Sequence, residues 1–171
     1  MNAPKPDALA DVYLSLGANI DPLENLTNAL DVLADHVELI AVSSIWSGPP
    51  IGVDGPDFYN AAAHIRTPLS QHALKRDVLH KIERASGRKR SADKFAPRQL
   101  DLDIIIFNAL EVEIDIWRYA YLAVPLAEIH PDYRNPRTGE SLGDFAQKIS
   151  RDTSMFIVVP REDWRPPPNS A

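Results

Sequence analysis

The chain has 171 residues, a net charge of −6, 44% hydrophobic and 25% charged residues, and no cysteine. These values fit one globular domain with its own core; they exclude disulfides and thiolate metal sites, and argue against a surface that binds nucleic acid throughout. No apolar run approaches the roughly 20 residues that cross a bilayer, and the opening MNAPKPDALA lacks the apolar stretch of a secretory signal, so a cytoplasmic protein is expected.

Residues 1 to 10 read as a loose arm, 11 to 160 as a single domain, and 161 to 171, which end in RPPPNSA, as a tail that cannot fold regularly. VYLSLG (12 to 17) reads as a strand stopped by Gly17. Asp21-Pro22 opens a helix with Leu23, Leu26, Leu30, Leu33 and Val37 along one stripe. VELIAVSSIWSG (37 to 48) predicts one long strand, GPPIGVDGPD a loop, and FYNAAAHIRT (58 to 67) another strand. Ser70 caps a second helix to about Ser86, with Leu74, Val78, Ile82 and Ala85 inward and Gly87 ending it. A strand then opens at Asp101. EVEIDIW (111 to 117) alternates and predicts a half-exposed edge strand. VPLAEIH (124 to 130) and SLGDFAQKI predict short helices, and FIVVP a last strand. The order strand, helix, strand, strand, helix, strand is ferredoxin-like. It implies an α+β fold, an antiparallel sheet with helices on one face and the other face partly free.

The stretch FAPRQLDLDIIIFN (95 to 108) carries the chemistry. Asp101 and Asp103 lie two apart on a strand and so share a face. Strict alternation puts Ile105 and Phe107 with them, and Leu102, Ile104 and Ile106 on the other side. Two adjacent carboxylates repel. A divalent cation removes that cost, and oxygen donors without cysteine favour Mg²⁺ over zinc. Just before them, Arg84, Arg88, Lys89, Arg90, Lys94 and Arg98 are six of the 18 Lys and Arg, packed into a window of 15 residues. An acidic protein with one basic segment suggests a local anionic ligand such as phosphate. Exposed acids at a strand mouth and a solvated basic loop are the alternatives, and spacing leaves both open. The five histidines show no metal-ligand spacing, and there is no phosphate-binding Gly-rich motif and no Ser-His-Asp pattern.

The same stretch closely resembles the signature of the 6-hydroxymethyl-7,8-dihydropterin pyrophosphokinase family, usually Trp-Gly-Pro-Arg-Thr-Leu-Asp-Leu-Asp and then an apolar run. YLSLGAN, SSIWSGPPIG, DFYNAA, KIERASGRKR, PLAEIHPDY and PRTGESL resemble further family segments in order, over roughly residues 12 to 150. The resemblance implies transfer of a pyrophosphoryl group from ATP, the co-substrate, to the pterin hydroxymethyl in folate biosynthesis, with AMP released. It implies that Asp101 and Asp103 hold two Mg²⁺ ions and that Arg88 and Arg98 stabilise the transferring group. It sets Glu83, Arg90 and Lys94 on the nucleotide side. Asn60 corresponds to the residue that hydrogen-bonds the pterin, with Ile51, Phe58 and Phe95 around the ring.

Phe95, Ala96 and Gln99 depart mildly from the signature. Between Phe107 and Pro125 the segment NALEVEIDIWRYAYLAV is shorter than the family's and lacks its His; Arg118 and Tyr121 stand nearest to its missing Arg and Phe. Weakened ATP contacts are therefore expected. A non-catalytic or altered-specificity paralogue that binds a pterin or nucleotide is the alternative. An RNA-binding sheet of this strand order would carry a Lys/Arg-Gly-Phe-Gly-Phe type motif, which is absent, so neither nucleic acid nor membrane is an expected partner. A monomer or weak dimer is expected.

Overall fold

The computed structural model describes residues 8–87 and 97–164. The elements are β1 (Ala10–Ala18), α1 (Pro22–His36), β2 (Glu38–Val42), β3 (Ile45–Gly48), β4 (Phe58–Thr67), α2 (Gln71–Leu74) and α3 (His80–Ala85) joined by a π-helical segment Lys75–Leu79, β5 (Asp101–Phe107), β6 (Leu110–Glu111), a 3₁₀ turn Ile114–Trp117, α4 (Ala120–Ile129), α5 (Leu142–Ser150) and β7 (Phe156–Val159). The strands form one antiparallel sheet in the order β6-β5-β1-β4-β3-β7, with β2 also paired to β4.

The central strand β1 alternates strictly. Val12, Leu14 and Leu16 are fully buried, whereas Tyr13, Ser15 and Gly17 are half-buried on the other side. The first set packs with Leu26, Leu30 and Leu33 of α1 and Leu74, Leu79 and Ile82 of the second helical segment, the ferredoxin-like arrangement. The opposite face is covered in part as well. There α4 and α5 bury Leu122, Leu126 and Leu142 against Ala62, Ile105 and Ile106. No helix among the described residues is long and apolar enough to cross a membrane.

Several expectations change. The strand over 37 to 48 is two strands, broken at the buried pair Ser43-Ser44. The Ser43 hydroxyl accepts the Ala62 N–H at 2.8 Å, a side chain taking over a ladder bond. Of the edge strand over 111 to 117, only Leu110–Glu111 pairs. Glu113 instead accepts the Asp115 N–H and starts the 3₁₀ turn, which buries Ile116. The helix over 124 to 130 begins earlier, at Ala120. AYLAVPLAEI is apolar nearly all round, so it carries no amphipathic period to mark its start. Leu23 is exposed rather than part of the α1 stripe. Ala10, assigned to the arm, is buried and paired with Thr67. Trp164, assigned to the tail, is buried and donates its indole N–H to the Ser43 carbonyl at 2.8 Å.

Alternation on β5 also fails at one point. Tyr13 pairs with Ile106 but Leu14 with Ile104, so Ile105 is an extra, bulged residue. Beyond the bulge the faces exchange: Ile106 joins the cluster under α4, and Phe107 packs with Leu102 and Ile104.

Candidate active site

Residues directly opposite on neighbouring strands project from the same face. Asp101 lies opposite Gly17, Gly17 opposite Asn60, and Asn60 opposite Trp46. One row thus runs across β5, β1, β4 and β3. With strands about 4.8 Å apart, Asn60 and Asp101 are roughly 10 Å apart across Gly17. Asp103 stands in the next row, opposite Ser15, which faces Ala62. The two aspartates therefore share a face as expected, and Asn60 shares it with them.

Gly17 keeps the middle of this row open. A Cβ there would lie 3.3 Å from Asn60 Oδ1. The Asn60 amide, buried at 5% exposure, thus lies over the glycine and toward the acids.

Arg98 sits at the mouth of β5 and its Nη1 donates to Asp101 Oδ2. Its backbone is clamped. The N–H donates to Asn19 Oδ1 at 2.7 Å, and the carbonyl accepts the N–H groups of Asn19 and Ile20 at 3.0 and 3.3 Å. Glu83 reaches from α3 to the same strand end: its buried carboxylate accepts the Leu102 N–H at 2.9 Å, between the two aspartates. Through this bond to the strand backbone it supports the acid pair.

Phe58 is half-buried at the start of β4, opposite Gly48, on the face that carries Asn60. Ile51 is exposed in the loop before it. Tyr121, in the first turn of α4, stacks on Tyr119 with ring centroids 5.4 Å apart. Burial pushes its hydroxyl up to about 12, with Tyr119, Asp115, Glu113 and Asp103 adding to the rise. Asp103 and Tyr121 are thus within electrostatic reach of one another. Arg118 is exposed, its guanidinium 5.0 Å from the Tyr119 ring centroid. Arg88, Arg90, Lys94 and Phe95 lie outside the described residues.

Among the described residues no three or more His, Asp or Glu gather to hold a metal by themselves. The donor set at the strand mouth is two half-buried carboxylates. It suits a hard cation that draws its remaining ligands from water and from a bound phosphate, the habit of Mg²⁺.

Sequence reasoning missed Asn19, Trp46 and Glu128. Trp46 continues the row beyond Asn60, and its indole N–H donates to the Glu128 carboxylate. Asn19 could have been found, because it ends the segment YLSLGAN. Glu128 could not, since 82 residues separate it from Trp46.

The family model for 7,8-dihydro-6-hydroxymethylpterin-pyrophosphokinase matches residues 13–131, through the short segment before α4. The 2-amino-4-hydroxy-6-hydroxymethyldihydropteridine pyrophosphokinase of Synechocystis is 31% identical over 166 residues, covering 91% of this chain and 84% of that protein. The protein of the same name from Helicobacter pylori is 39% identical over 127 residues, covering 71% and 72%. Among solved structures, Plasmodium falciparum HPPK-DHPS wild type with pterin and p-hydroxybenzoate superposes with a TM-score of 0.69 at 13% identity. That match covers 87% of this chain but only 44% of that one, and at such identity it speaks for the fold alone.

Proposed function

The chain belongs to the 7,8-dihydro-6-hydroxymethylpterin-pyrophosphokinase family, and from that premise we propose how its residues carry the reaction. The protein is an enzyme of folate biosynthesis that transfers a pyrophosphoryl group from ATP to the hydroxymethyl group of the dihydropterin. Relatives at 31% and 39% identity carry the enzyme's name, which favours turnover over a non-catalytic paralogue.

In this reading the row Asn60–Gly17–Asp101 is the reaction axis, and it is the observation that carries the proposal. Asn60 binds the pterin edge and sets its orientation, with Phe58, Ile51, Phe95 and Tyr121 around the ring. Asp101 and Asp103 would hold Mg²⁺, two ions in the family's manner, which would supply neutralisation of charge on the ATP phosphates. Gly17 leaves room for the hydroxymethyl group to approach the phosphates across the row. Arg98 neutralises Asp101 before substrate arrives; its guanidinium then turns to the transferring group, a charge-assisted contact. Arg88 assists it, Arg90 and Lys94 grip the remaining phosphates, and Glu83 fixes the backbone from which both aspartates project. Arg118 leaves its aromatic neighbour to supply part of the phosphate contact that the short segment lacks. The enzyme works in the cytoplasm as a monomer or weak dimer.

Incubation with ATP, Mg²⁺ and 6-hydroxymethyl-7,8-dihydropterin is expected to release one AMP for each pterin pyrophosphorylated. Absence of AMP with all three present would sink the reading.

A further inference from the structure

Beyond Asn60, the row across the sheet passes through a residue that the reaction has not used. Trp46 is half-buried on β3, opposite Asn60, so the two side chains are direct cross-strand neighbours on the site face. The indole is tethered, its N–H donating to Glu128 Oε1. The other carboxylate oxygen, Oε2, accepts the Ser44 N–H at 3.1 Å and the Ser44 hydroxyl at 3.0 Å. Glu128 thus holds three donors, two from Ser44 at the break between β2 and β3 and one from Trp46 within β3. The break is itself fixed. The Arg161 N–H donates to the Ser44 hydroxyl at 3.1 Å, and Trp164 donates to the Ser43 carbonyl.

We propose that Glu128 is a positioning residue for the pterin side, holding Trp46 as the wall against which the ring seats beside Asn60. The inference deepens the functional reading and rests on it. Three features set this arrangement apart from ordinary packing. A buried hydrogen-bonding amide next to a flat ring is the chemistry that recognises a heteroaromatic bicycle: the amide reads the polar edge and the ring offers a stacking or edge contact. A tryptophan left to itself would sample other rotamers, and a carboxylate with two fixed partners leaves it one. The tether also comes from α4, whose first turn carries Tyr121, within electrostatic reach of Asp103. One helix therefore sets the pterin wall at its last turn and faces the acid pair's field at its first.

A purely structural role would weaken pterin and ATP binding together, through loss of folded protein. A positioning role separates them. Calorimetric titration of the full chain with 6-hydroxymethylpterin, and separately with Mg²⁺-ATP, reads the split without needing turnover. Failure of the reaction, seen as no AMP, thus stays distinct from failure of this inference. Trp46→Leu and Glu128→Ala are expected to weaken pterin binding about tenfold and leave ATP binding within about twofold. Glu128→Gln keeps an acceptor oxygen and is expected to recover most of the pterin affinity. Trp46→Phe keeps a ring but loses the tether, and is expected to fall between Trp46→Leu and wild type. These two conservative variants decide the matter if the larger changes prevent folding. Pterin affinity unchanged in Trp46→Leu or Trp46→Phe, or equal weakening for both ligands, overturns the proposal.

Discussion

The two faces of the sheet are built on opposite plans. Under α1 and the α2–α3 segment the strands present Leu14, Leu16, Ile65 and Leu102, and the interface is almost wholly apolar. Under α4 the strands present Tyr13, Ser15, Asn60 and His64 among smaller apolar residues, and the helix answers with Glu128 and Tyr121, and its C-cap with His130. The first face carries stability. The second carries polar groups, several of them held by ring stacking or hydrogen bonds, and where β1 meets Asp101 its residues are only half-buried. In the proposed reading the chemistry sits where the covering layer stops, because half-buried carboxylates there can still meet a ligand.

The comparison breaks most visibly at the acid pair. Asp103→Ala, or Asp101→Ala, is expected to lower the rate of AMP release by roughly two to three decades while the far-ultraviolet circular dichroism spectrum stays unchanged. Asp101→Ala also releases Arg98 from a part-exposed ion pair, worth about 1 kcal/mol or less, so melting should move by only a few degrees. A variant that keeps most of its rate would remove these residues from the chemistry.

The opposite outcome is expected on the quiet face. Leu33 is fully buried, and Leu33→Ala should cost about 2–5 kcal/mol in denaturant unfolding without changing the rate per folded molecule. A specific loss of rate there would show that the two faces are coupled.

A smaller effect tests the open middle of the row. Gly17 has no left-handed backbone geometry to lose, but an added methyl would press on Asn60 Oδ1 at 3.3 Å. Gly17→Ala is expected to raise KM for the pterin about three- to tenfold, up to about 1.4 kcal/mol, with KM for ATP unchanged. Equal shifts in both constants would mean that Asn60 does not serve the pterin.

The smallest effect is a pH dependence on the polar face. His130 stacks on Tyr13 with ring centroids 4.3 Å apart and lies tilted against Tyr133 at 5.2 Å, and His64 covers the other side of Tyr13 at 4.4 Å. Burial first, then the nearby His64, hold the His130 imidazole below its ordinary value, against an opposing pull from Asp132. Because the folded value is the lower one, the unfolded chain takes up the proton first as pH falls. The contribution from His130 is complete above about 6.5 and is lost as pH drops from there toward the folded value. Melting curves between pH 7.5 and 5 should show this loss, and His130→Phe should remove it. An identical acid slope in that variant would assign the loss to another group.

Much of this was legible in the sequence, for identifiable reasons. The period-2 pattern of VYLSLG and the Asp-Leu-Asp spacing fix which side chains share a face, so β1 and the acid pair follow directly. The bulge at Ile105 was not legible, because an unbroken run of three isoleucines looks the same in either register. The break at Ser43-Ser44 was hidden by residues that are neutral in a strand and act here through a hydroxyl. Asn60 was reached through resemblance, and its geometry against Gly17 came only with the pairing of β1 and β4. Trp46 and Glu128 meet across most of the domain, a contact that no local pattern encodes.

In the proposed reading one row of the sheet, from Asn60 across Gly17 to Asp101, carries pterin and phosphate side by side. A crystal structure with Mg²⁺, a non-hydrolysable ATP analogue and the hydroxymethyl pterin tests it most directly. Metal density at Asp101 and Asp103 beside the phosphates, with the pterin edge hydrogen-bonded to Asn60, is the expected result. Metal held elsewhere, or a pterin with no contact to Asn60, would contradict it.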